Sequence, residues 1–169
     1  MRAARLGLVA LLLVAACGGD KTATPPPATA ATIAVTSPAF ADGDTIPEAH
    51  TCRGDGGSPE LAWHGVPADA TSVALVVSDP DAPGGTFIHW VLYDLPPGDG
   101  GLTAGEVPAG AQQGEGWTAP CPPSGTHHYR FTVYALREKA TGGSTQELLD
   151  DIGRKTVGSG VLTGVVSSD

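Results

Sequence analysis

Positive charge is scarce in this chain: Lys and Arg number 9 against 18 Asp and Glu in 169 residues, a formal charge of −9. Nucleic-acid phosphates and anionic lipid surfaces would be repelled by such a balance, so neither is expected as an electrostatic partner. Cysteine is sparse as well, three residues in all with no CxxC spacing, which argues against the common structural zinc sites. No apolar run approaches the roughly 20 residues of a spanning helix. No GxSxG elbow or Ser/His/Asp order is present either, so hydrolysis, and enzymatic activity generally, is not expected.

What is there begins with a leader. Arg2 and Arg5 precede the apolar residues 6–14, then the small Ala15 and Ala16, then Cys17. This is the layout of a cleaved signal peptide over residues 1–16. The Val14-Ala15-Ala16-Cys17 sequence resembles the bacterial lipobox, in which the thiol accepts a diacylglyceryl group, with Val14 where Leu is commoner. Residues 17–32 are rich in Ala, Thr and Pro and read as a flexible tether. Extended at about 3.1 Å per residue, it would hold a domain up to roughly 45 Å from the lipid. The expected protein is therefore exported and lipid-anchored, its membrane contact being the anchor alone. Loss of Arg2 and Arg5 leaves 7 basic residues against 18 acidic ones and lowers the formal charge from −9 to −11.

In an oxidising compartment Cys52 and Cys121 form an even pair, and a disulfide is the natural reading; two buried free thiols or half of a metal site are the competing ones. Residues 33–169 fit one domain. Its short apolar runs, at 32–35, 61–63, 72–78, 88–95, 129–136 and 161–166, lie between Gly- and Pro-rich segments and are strand-length. The runs at 72–78 and 129–136 should be central. Only residues 144–157 look helical, with capping-box spacing from Ser144 to Glu147 and Leu148, Leu149 and Ile152 on one face. The expected architecture is a β-sandwich with a peripheral helix.

Two stiff loops carry the unusual side chains. Asp79-Pro80-Asp81-Ala82-Pro83 follows the most hydrophobic strand and leads to His89-Trp90, and residues 119–129 bring Pro120, Pro122 and Pro123 to His127, His128 and Tyr129. Proline restricts both its own φ and the preceding residue, so these side chains have set directions. If the loops face each other, His89, His127 and Tyr129 converge on Asp79 and Asp81. As turn-formers the two Asp could equally be structural. A metal site from Asp79, Asp81, His89 and His127 is conceivable, but the ligand spacing is not a recognised one.

Ser37-Pro38-Ala39-Phe40, Thr51-Cys52, the 79–83 loop with His89-Trp90, and Pro120 to Pro123 with the strand from His127 together resemble the phosphatidylethanolamine-binding protein (PEBP) family, in its bacterial Raf kinase inhibitor-like branch. The resemblance implies an all-β Greek-key antiparallel sandwich with one or two short helices. It also implies a non-catalytic pocket for a small phosphorylated or anionic group of the phospholipid head-group type, needing no cofactor. Matched onto this chain, the pocket residues are Asp79, His89, Pro122, His127 and Tyr129, with Asp81 just behind. Ala119 stands where the family usually has Gly, and His128 replaces the customary Arg. The resemblance also leaves room for a homodimer, and for a second class of function, inhibition or regulation of a cell-envelope protease or other protein.

Carboxylates beside an anion site make sense if they serve the histidines. An Asp near His89 or His127 would raise the imidazole pKa and favour a two-donor anion contact that weakens as pH rises.

Overall fold

Side-chain alternation along two buried strands sets the architecture. The computed structural model describes residues 21–28 and 33–169; the expected signal peptide, Cys17, and residues 17–20 and 29–32 of the expected tether lie outside the described residues. Among the described residues the strands are β1 (Ala34–Thr36), β2 (Leu61–His64), β3 (Ser72–Asp79), β4 (Phe87–Leu95), β5 (Gly100–Leu102), β6 (Gln112–Glu115), β7 (Thr126–Leu136) and β8 (Thr156–Ser167), with one helix, α1 (Thr145–Lys155), and a 3-10 turn at Glu48–His50. They form two antiparallel sheets, ordered β1-β2-β5 and β6-β4-β3-β7-β8. The long return that lays β7 beside β3 makes the larger sheet non-local, as a Greek-key sandwich requires.

In β3 every residue is buried. Val73, Leu75 and Val77 face the small sheet with Phe131 and Val133 of β7, joined by Leu61 and Trp63 of β2. Ala74 and Val76 face the other way, under Leu148, Leu149 and Ile152 of α1. A strand covered on both faces reads as a continuous apolar run, which is how 72–78 was recognisable. The helix starts where the capping box places it, with the Ser144 hydroxyl accepting from the Glu147 N–H. β8 begins directly after it at Thr156, five residues before the apolar run shows.

Residues 21–28 correct the expectation of a free tether. The Ile88 N–H donates to the Lys21 carbonyl (2.9 Å) and the Ala23 N–H to that of Thr86 (3.2 Å), so the segment adds a short antiparallel edge at Phe87 of β4. It then passes beside α1, where the Thr24 N–H donates to Gln146 Oε1, and the buried Tyr134 hydroxyl donates to the Pro26 carbonyl at 2.8 Å. Burial pushes the Tyr134 phenol up to about 12, so it remains a donor. The segment has few apolar side chains, and its docking uses main-chain groups that composition does not reveal.

Cys52 and Cys121 are joined, with Cα atoms 5.4 Å apart and a sequence separation of 69. The Cys52 N–H also donates to the Pro120 carbonyl. Closing so long a loop contributes about 4 kcal/mol in the chain-entropy treatment. Replacing both cysteines by Ser should lower the unfolding free energy by about that amount in a denaturant titration. Wild-type stability in the double variant would contradict a structural bridge.

A second stability prediction concerns Asp151. Its carboxylate meets Lys155 at 2.7 Å and Arg154 at 2.8 Å and accepts from the Thr141 N–H. Lys155 first, then the Thr141 N–H and Arg154, outweigh burial and hold it at about 2. A depressed folded-state pKa gives stability that is complete above the ordinary carboxylate value and is lost as pH falls from about 4 towards 2. Asp151→Asn should cost on the order of 1–2 kcal/mol at neutral pH after allowance for solvent screening, and progressively less as pH falls through about 2. Thermal melts of both proteins across that range check this.

Candidate functional site

β3 carries its alternation through to Asp79, which leaves the sandwich side of the sheet at the strand end. β7 places Tyr129 and His127 on the same side as Phe131, while His128 and Arg130 point the other way, matching its alternating burial. β4 does something different. Its pairing with β3 runs Val77↔Trp90 and then Ser78↔Ile88, so His89 is one residue too many for the ladder. This β-bulge turns His89 to the same side as Trp90, where strict alternation would have sent it towards α1. Phe87, opposite Asp79, falls on that side too.

The result is a cavity of about 220 Å³ lined by Asp79, His89, His127, Tyr129, Phe87 and Pro123, together with Ala82, Pro83, Thr118, Ala119 and Cys121. Its rings are packed edge to face, Phe87 on His89 at 4.7 Å and His89 on Tyr129 at 5.1 Å. The disulfide forms part of one wall, so the bond that staples the fold also fixes the loop after Thr118.

Each imidazole is pinned by its Nδ1. That of His127 lies 2.7 Å from Asp79 Oδ2, and that of His89 lies 2.7 Å from the Thr118 carbonyl oxygen. Carboxylate and carbonyl oxygens only accept, so both Nδ1 atoms carry a proton. Among the described residues no hydrogen bond reaches either Nε2, and both rings line the cavity. Asp79 has its other oxygen filled by the Asp81 N–H at 2.8 Å.

Burial is the main influence on His89 and holds its pKa below the ordinary imidazole value. The Thr118 carbonyl and Asp79 act in the opposite sense and do not overcome it. The expectation that a carboxylate would raise this histidine is therefore corrected: a nearly dry ring contacts a neutral carbonyl directly, and Asp79 only at a distance. Burial first, then Asp79, also raises the Tyr129 phenol, whose oxygen accepts from the Cys121 N–H. It remains a protonated hydroxyl across the physiological range.

Asp79, His89, His127 and Tyr129 are thus brought together. Asp81 is not among the lining residues. It accepts at Oδ2 from both the N–H and the Nδ1 of His128, each within 2.8 Å, and those bonds, the ring contact first, lower its pKa. Pro122 lies against a separate depression with Thr51, Arg53 and Ser167, and its neighbour Pro123 takes the position at the cavity. A run of adjacent prolines cannot reveal which ring faces inward. Phe87 and Thr118 were not anticipated. The register that puts Phe87 opposite Asp79 depends on the bulge, and Thr118 acts through its backbone carbonyl.

Comparison with known proteins identifies the family and supports the fold. The family model described as phosphatidylethanolamine-binding protein matches residues 36–167. The chain is 41% identical to LppC of Mycobacterium tuberculosis, named as a candidate lipoprotein, over 79% of this chain and 78% of that protein. It is 40% identical to a UPF0098 protein of Methanothermobacter thermautotrophicus, over 75% and 93% respectively. Among solved structures, CT736 of Chlamydia trachomatis, described as a candidate PEBP homologue, matches with a TM-score of 0.75 and 34% identity, covering 83% of this chain and all of that one. YbcL of E. coli, described as a new member of the mammalian PEBP family, matches with a TM-score of 0.73 and 28% identity over 81% and 99%. On the match over residues 36–167, the shared fold and the order of its motifs, the chain belongs to the phosphatidylethanolamine-binding protein family.

Proposed function

We propose that this chain is an exported, lipid-anchored binding module whose cavity takes up a small phosphorylated or otherwise anionic group and releases it unchanged. The observation that carries this reading is the pair of imidazoles, His89 and His127, that line one cavity with Tyr129 while their Nδ1 atoms are held by Thr118 and Asp79. Phosphate oxygens accept hydrogen bonds, and a protonated Nε2 donates a strong one. Among the described residues no Lys or Arg lines the cavity. The nearest cation, Lys21 at the rim, is already paired with Glu115, so the positive charge for an anion comes largely from protons taken up with it, on the His89 ring or on the phosphate itself, whose second pKa is near 6.

Asp79 does not oppose this. Its oxygens are occupied by the His127 Nδ1 and the Asp81 N–H, so each already accepts from a protein donor. The family's name and the likeness to a relative named as a candidate lipoprotein support the ligand class and the anchor at Cys17 respectively.

Binding should be pH-dependent with a definite sign. Because burial depresses His89, this ring is neutral at pH 7 and gains charge only below the usual imidazole range, so phosphoethanolamine affinity should rise as pH falls from 8 to 5. Isothermal titration across that range checks it, and an affinity unchanged by pH would count against the reading. His89→Ala should weaken binding at pH 6 by tenfold or more, given the ~1.5–3 kcal/mol of a charge-assisted hydrogen bond, with the melting curve retained.

A further inference from the structure

The docked N-terminal segment meets the cavity at its edge. Lys21 donates from Nζ to Thr118 Oγ1 at 3.0 Å, pairs with Glu115 at 2.9 Å, and stands 5.8 Å from the centroid of the Phe87 ring. Thr118 and Phe87 both line the cavity. The next residues are fastened by main-chain bonds at Ile88 and Thr86, by Gln146 and by the buried Tyr134 hydroxyl. Among the described residues, the first fixed point after Cys17 in the sequence is therefore Lys21, beside the binding cavity, and not Ile33 at the far side of the sheet.

Only four residue steps separate Cys17 from Lys21. Fully extended, they span at most roughly 14 Å, against the roughly 45 Å of an undocked tether. We propose that this segment is a short leash holding the cavity against the bilayer that anchors the protein, so that the phosphate group it takes is a lipid head group of that same bilayer. The inference rests on the proposed function and on acylation of Cys17. A domain of charge −11 would otherwise be held off an anionic surface by repulsion, and a leash this short offsets that with local concentration.

Leash length can be changed without touching the cavity. About twelve Gly and Ser residues inserted after Asp20 would lengthen the span about fourfold and lower the effective concentration of head groups about eightfold, by the −3/2 power of length. Acylated full-length protein and the insertion variant are placed in neutral glycolipid vesicles with or without phosphatidylethanolamine. Each is then titrated with soluble phosphoethanolamine. The expected result is equal affinity in the plain vesicles, competition from the bilayer lipid in the unaltered protein, and about eightfold weaker competition in the variant. Equal competition in the two proteins would overturn the leash. Soluble binding with no competition in the unaltered protein would overturn the lipid source and leave the cavity reading intact. No soluble binding in either protein would overturn the cavity reading and the leash with it.

Discussion

A strand held in regular register sends neighbouring side chains to opposite faces of its sheet. His89 and Trp90 could not both reach the sandwich side unless β4 slipped by one residue against β3 between Val77 and Ser78. That slip is the constraint on which the cavity depends. It adds one imidazole to the Asp79, Tyr129 and His127 side chains that alternation already delivers, and it brings Phe87 opposite Asp79 to form a wall. The Thr118 backbone then clamps the bulge from both ends, its N–H donating to the His89 carbonyl and its carbonyl accepting from the His89 ring.

An acidic protein with a cavity proposed to take anions resolves its electrostatics by compartment. Asp79 is consumed by His127 and the Asp81 backbone, Asp81 by His128, and Asp151 by Lys155 and Arg154 on the far side of the sheet. What remains facing the cavity is nearly uncharged: two imidazole edges, one phenol and several loop groups. An Arg in place of His128 would not change this directly, because position 128 points out of the cavity towards Asp81.

Much of the fold was legible. Strands buried on both faces announce themselves as apolar runs, and the Ser144 cap with its amphipathic turn marked the helix. β5 and β6 were not legible, since Gly-Gly-Leu and Gln-Gln-Gly-Glu carry no hydrophobic period and form because edges of β2 and β4 are waiting for partners. In the site, Asp79, His89, His127 and Tyr129 could be named from motif and residue type. Which proline faces inward, that Asp81 serves His128, and that residues 21–28 dock could not be, because each depends on backbone hydrogen bonds or register, to which side-chain identity is nearly blind. The sign of the His89 shift was missed for a related reason: proximity to a carboxylate can be guessed along a chain, whereas the degree of burial cannot.

The central claim is that two imidazoles keep their Nδ1 protons on protein acceptors and turn Nε2 inward to meet an anion. Nitrogen-15 NMR of the histidine rings, recorded just above neutral pH with and without phosphoethanolamine, tests it most directly. The account predicts the Nδ1–H tautomer for His89 in the free protein, and ligand-induced shifts of Nε2 towards the protonated position in His89, His127 or both. An Nε2–H tautomer for His89, or ring nitrogens indifferent to saturating ligand, would contradict it.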